Sequence, residues 1–107
     1  MTQEKEQKEL IGKATPEQIE EWKKKHGDVR AVVVDGHIGY LKKPDRKVLS
    51  YASSVGAKDP IRFNELLLTN CWLGGSESIK TDDEMFLGAS AVLAELIEVK
   101  EAELVKL

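Results

Sequence analysis

Residues 33–47 read VVDGHIGYLKKPDRK, and the turn inside this stretch sets the fold class. Asp35-Gly36 lies between two runs rich in β-branched and aromatic residues, VRAVVV before it and HIGYL after it. A two-residue type I′ turn needs positive φ at both central positions, and Asp-Gly meets that need at little cost. The turn predicts a hairpin over residues 28–41 and also its register. Val34 falls opposite His37, Val33 opposite Ile38, Val32 opposite Gly39 and Ala31 opposite Tyr40. One face collects Val29, Ala31, Val33, Ile38 and Tyr40; the other collects Arg30, Val32, Val34, His37, Gly39 and Leu41. Both faces are too apolar for a solvated ribbon, and a lone two-stranded ribbon is only marginally stable. Helices must therefore cover one face. The second face or an open edge must find another strand or another protein.

Helical signals flank the hairpin. Thr15-Pro16-Glu17-Gln18 predicts a helix start, with Thr15 as cap, Pro16 in the first turn and Gln18 as capping-box partner. Ile19 and Trp22 then share a face, Lys23 to His26 complement the dipole in the last turn, and Gly27 suits the C-cap. After the hairpin, Lys43-Pro44 predicts a helix start, with Val48, Leu49, Ala52 and Val55 as its stripe and Gly56 as its end. Asp59-Pro60 repeats the signal for a helix through Phe63, Leu66, Leu67, Asn70 and Cys71, which Gly74-Gly75 close. Thr81-Asp82-Asp83-Glu84 reads as a capping box for a long last helix bearing Met85, Phe86, Ala89, Val92, Leu93, Leu96 and Ile97. The expected architecture is α+β: an N-terminal helix, a two-stranded antiparallel hairpin, then a three-helix C-terminal bundle packed on it. Residues 1–13 offer almost nothing to bury and read as a mobile segment ahead of a single domain over 14–107.

The 107 residues and 41% apolar content suit one small domain with its own core. A single cysteine excludes an internal disulfide and a multi-cysteine metal site. The first residues lack the apolar region of a secretory signal, and no apolar run approaches the roughly 18 residues of a bilayer span. A cytoplasmic protein without membrane contact is expected. Net charge is −3, but it is unevenly spread. Residues 29–62 carry seven Lys and Arg against three Asp, whereas residues 63–107 carry three Lys against nine acids. Such polarity can steer partners or promote head-to-tail association.

No residue pattern demands catalysis or a cofactor. His37 has no titratable partner at a telling spacing, and dipole complementarity accounts for His26. Cys71 follows Leu67 on an apolar face, where a buried free thiol is the default. Asp82, Asp83 and Glu84 fan outward from a helix start and lack the alternating ligands of a calcium loop. Gly74-Gly75-Ser76 follows a helix, whereas phosphate loops follow a strand. The basic stretch Lys42, Lys43, Arg46 and Lys47, with Tyr40 and Tyr51 nearby, is the element a nucleic acid would use. Against this, Asp45 interrupts the run and the pI is about 5.4, so nucleic acid is the second reading, as a regulatory domain of a mobile element. Trp72 ends a helix and is either core or a partly exposed anchor for a partner.

From about Val29 onward the chain resembles small tail assembly chaperones of phages and prophages. The resemblance rests on the valine-rich hairpin, the Tyr-Leu-Lys-Lys-Pro-Asp-Arg stretch at 40–46, Val48 to Ala52, and Asp59-Pro60. It continues through Glu65-Leu66-Leu67-Leu68 to Cys71-Trp72 and the acidic helix start at Thr81 to Glu84. The resemblance implies a non-enzymatic protein of the bacterial host cytoplasm that binds a long, helical tape-measure protein and keeps it soluble. The surfaces that could receive an amphipathic helix are Trp72, the exposed ribbon with Val32, Val34 and Leu41, and the amphipathic last helix, beside the basic rim of Lys42, Lys43, Arg46 and Lys47. The open hairpin edge also allows a homo-oligomer.

Overall fold

Thr15 opens the first helix as its sequence predicts. In the computed structural model, which describes residues 10–97 and 101–107, Thr15 Oγ1 accepts the Gln18 backbone N–H at 3.1 Å. Helix α1 runs Pro16–His26, and the N–H of Gly27, at φ 85°, donates to the Lys23 carbonyl. Strands β1 (Val29–Val34) and β2 (His37–Lys42) follow. They pair in the expected register, from Val34 with His37 to Val29 with Lys42. Asp35 at φ 51° and Gly36 at φ 77° supply the two positive angles of the turn.

Four further α-helices, a strand and a 3₁₀ turn follow among the described residues. Helix α2 (Arg46–Val55) is capped by Asp45, whose Oδ1 accepts the Val48 N–H at 2.9 Å, so the cap falls just after Pro44. Helix α3 (Pro60–Cys71) is capped by Asp59, which accepts the Arg62 N–H at 3.2 Å. After α3 come β3 (Trp72–Gly75), a single helical turn α4 (Ser78–Thr81), helix α5 (Asp83–Leu93) and a 3₁₀ turn over Ala94–Leu96.

Two expectations need correction. The sheet has three strands in the order β1-β2-β3, not two. Gly74 and Gly75 do not simply close a helix; they pair with Tyr40 and Gly39 on the free side of β2. The hairpin thus finds its missing partner inside the chain. The C-terminal half is also not a plain three-helix bundle, because β3 and α4 separate α3 from α5. Thr81 belongs to the end of α4, where its Oγ1 donates to the Glu77 carbonyl. Asp82 is the cap of α5 and accepts the Met85 N–H at 3.0 Å. The α-helical part of the last helix is 11 residues long, shorter than its apolar pattern suggests.

The core lies between the sheet and the helices that follow it. Val32, Leu41, Leu67, Leu68, Cys71, Ile79, Phe86, Ala89, Leu93 and Leu96 form one buried cluster. The opposite face of the sheet is covered by α1, where Trp22 packs on Tyr40 at a ring-centroid distance of 5.3 Å. The two tryptophans lie on opposite faces, each over a glycine. Trp72 lies over Gly39 on the core face, and Trp22 over Gly74 on the α1 face. A residue with a side chain at either glycine would occupy the space of an indole ring, so the Gly-Trp contacts set how closely the two layers approach the sheet.

The chain ahead of α1 is also tied down in part. The Ile11 N–H donates to the Gly36 carbonyl and the Ile11 carbonyl accepts from the Ile38 N–H, both at 2.9 Å. The Ala14 N–H donates to the Tyr40 hydroxyl at 3.1 Å. Of the segment 1–13 read as mobile, Ile11 thus bonds to the hairpin, and the first nine residues lie outside the described residues. No helix among the described residues is long and apolar enough to cross a membrane.

Candidate functional site

Hydrogen-bond direction along β2 decides which edge of the sheet stays open. The Ile38 N–H donates to Ile11, and the Ile38 carbonyl accepts from the Ser76 N–H at 2.9 Å. Both groups of Ile38 thus point away from β1. In an antiparallel ladder the residue opposite such a position also turns its groups outward. That residue is Val33, and the alternation extends to Ala31 and Val29. Their N–H and C=O groups form the outer edge of β1, which has no strand partner among the described residues.

An apolar groove runs beside this edge. It is lined by the backbone run Arg30 to Val33, by Leu41, and by Val92, Leu93, Glu95 and Leu96 from the end of α5 and the following turn. Its volume is about 350 Å³. Val33 is 54% exposed and Val92 43% exposed at its rim. β1 carries no Lys and no Pro, the usual devices that blunt an edge strand, and only Arg30 is charged. An open β-branched edge with apolar side-chain space next to it is the geometry for adding an extended segment as a fourth strand.

The residues singled out from the sequence fall into separate places. Val32 and Leu41 are buried and form the floor of the groove. Val34 is half-buried and faces α5, with its Cγ2 against Gly88. Trp72 is half-buried and packs against the core, with Lys80 Nζ at 4.8 Å from its ring centroid. It does not line the groove. The basic residues do not converge on one feature. Lys42 ends β2 half-buried, Lys43 forms an ion pair with Asp28 at 3.6 Å, and Arg46 and Lys47 are exposed in the first turn of α2.

His37 has a partner that spacing alone did not reveal. Its Nδ1 and the Ser76 Oγ are hydrogen-bonded at 2.7 Å, and Ser76 is buried. With the Ser76 N–H bonded to Ile38, this contact fastens the end of β3 to the start of β2. A hydrogen-bonded Ser and His also invite comparison with a nucleophile and its base. Here no carboxylate among the described residues bonds to the imidazole to orient it, and neither residue lines the groove. Among the described residues no group of three or more His, Cys, Asp or Glu could hold a metal ion.

Cys71 is fully buried, as its place on an apolar face predicts. Burial pushes its thiol up to about 11, while Lys42 draws it down and Asp45 raises it to smaller extents. A thiol reagent attacks only the thiolate, and two pKa units reduce that species about a hundredfold. At about pH 8 the native protein will react with such a reagent at least about a hundredfold more slowly than the unfolded chain. The absorbance of the released thiol followed with and without denaturant measures this, and equal rates would contradict the burial.

The groove walls Val92, Leu93, Glu95 and Leu96 were not singled out as a site from the sequence. Val92, Leu93 and Leu96 belong there to the apolar stripe of the last helix, which reads as core and, as an amphipathic helix, as a surface for a partner helix. No protein-family model, curated protein or solved structure matches this chain.

Proposed function

We propose that this chain is a non-enzymatic interaction protein that captures an extended apolar segment of another protein at the β1 edge. The observation that carries the reading is the conjunction of an open valine-rich edge with an apolar groove beside it. Backbone groups of Val29, Ala31 and Val33 give affinity for any strand, and the groove selects its apolar side chains. The resemblance to tail assembly chaperones suggests the partner: a long structural protein of a phage tail, held soluble before assembly. This departs from the expectation of a helix laid on the ribbon, because the ribbon face is already covered by the chain's own helices.

The test is capture from cells producing the phage tail proteins, with mass spectrometry of what co-elutes. The discriminating variant is Ala31→Pro. Its side chain is exposed and its N–H points outward, so proline removes an edge donor without touching the β1-β2 ladder. Capture of the tape-measure protein is expected to fall at least about tenfold, the effect of about 1.4 kcal/mol, with the thermal midpoint nearly unchanged. Undiminished capture by a folded Ala31→Pro chain would move the site elsewhere. Recovery of nucleic acid that disappears as salt rises, and that depends on Lys42, Lys43, Arg46 and Lys47, would replace the proposal with the nucleic-acid reading.

A further inference from the structure

The same chain carries a segment suited to the groove. Residues 101–107 read EAELVKL and have no regular secondary structure. Leu104 and Leu107 are wholly exposed, and Val105 is 67% exposed. Three exposed large apolar side chains so close together are unusual for a surface segment. In one copy they do not fill the groove, whose walls include Val92 and Leu96.

We propose that residues 101–107 of a second copy add to the open edge of β1, with Val105 and Leu107 in the groove, so that two copies exchange these segments. This rests on the reading of the β1 edge as a binding surface. Side chains two apart share a face of a strand, so Val105 and Leu107 enter the groove together. Leu104 then lies on the other face, beside the exposed Val33. Charge favours the exchange. β1 carries one charge, Arg30, and the segment carries Glu101 and Glu103 against Lys106, so strand and segment are opposite in sign. Every copy holds both edge and segment, so a reciprocal exchange closes as a two-fold dimer and leaves neither element unsatisfied. A captured partner would displace the exchanged segment, which then acts as a guard on the edge until the partner arrives.

Light scattering on the full chain tests the exchange first. The expected mass is twice the chain's 11.9 kDa, falling to 11.9 kDa in the Val105→Asp/Leu107→Asp variant. Both side chains are exposed in one copy, so the variant keeps its fold. Two singly substituted chains, Val33→Cys and Leu104→Cys, are then mixed under mild oxidation. A mixed disulfide between them, absent from either chain alone, is expected, and Cys71 is too buried to compete. A wild-type chain that is monomeric at every concentration overturns the exchange. So does a dimer that survives the double aspartate substitution, or a disulfide that forms only when both cysteines are on one chain. Partner capture separates this result from the preceding proposal. If both hold, the double aspartate variant captures the partner at least as well as the wild type, whereas Ala31→Pro does not. If the exchange fails alone, Ala31→Pro still loses capture.

Discussion

Replacing Gly75 with alanine is expected to destabilise the protein by about 3 kcal/mol or more, since a strained backbone and a steric overlap act together. Gly75 sits at φ 124°, a region that residues with a side chain rarely adopt. A Cβ there would lie 2.5 Å from the Ile38 carbonyl oxygen and 2.6 Å from the Gly39 Cα, both backbone atoms of the central strand. Neither can move without disturbing the pairing of β2 with β1. At about 4 °C or more per kcal/mol for a domain of this size, the thermal midpoint should fall by at least about 12 °C. Gly36 is the control. It also has positive φ, at 77°, but its missing Cβ would meet nothing within 4 Å. Gly36→Ala should show the conformational cost alone, about 1 kcal/mol. Equal losses at the two glycines would mean that β3 does not press on β2 as described.

Gly39→Ala tests the packing from the other side of the same strand. Its Cβ would fall 2.5 and 2.6 Å from two carbons of the Trp72 ring and 3.4 Å from Ile79 Cδ1. An indole held between the sheet and the core cannot swing away freely, so overpacking should cost about 1–3 kcal/mol. Trp72→Leu removes the obstructing ring at its own cost in lost packing. In the double variant the two costs should not add; the sum should fall short by more than about 1 kcal/mol, as measured by urea unfolding. Strict additivity would show that Trp72 does not rest on Gly39.

These two glycines also mark where the sequence is hard to read. The hairpin was legible down to its register, since Asp35-Gly36 is a local device whose φ requirements belong to the residues themselves. The caps at Thr15 and Asp59 were legible for the same reason: each is a side chain bonding a backbone N–H three residues on. The cap of α5 was read one residue early, at Thr81 instead of Asp82, because the helical turn α4 claims Thr81. Strand β3 was not legible. Trp72-Leu73-Gly74-Gly75 has poor strand propensity, and two glycines after a helix ordinarily mean a stop. It becomes a strand only because β2 offers an unpaired edge and because Gly39 and Gly74 leave room for the indoles of Trp72 and Trp22. The bond between His37 and Ser76 belongs to the same class, joining residues brought together by that pairing.

The candidate site divides in the same way. The sequence by itself required that an apolar hairpin acquire a covered face and a partner for an edge, because a ribbon with two apolar faces is unstable in water. It also determined most of the helices, the caps at Thr15 and Asp59, the buried thiol and the uneven charge. Tertiary structure decided which edge is satisfied within the chain and which is left open. β3 and Ile11 close the β2 side, so the open side is β1, and the end of α5 supplies the groove beside it. The physical reason is one of range. Turn and cap energetics are set by neighbours within a few residues, whereas the choice between two edges depends on which distant segment can approach β2 without a steric clash.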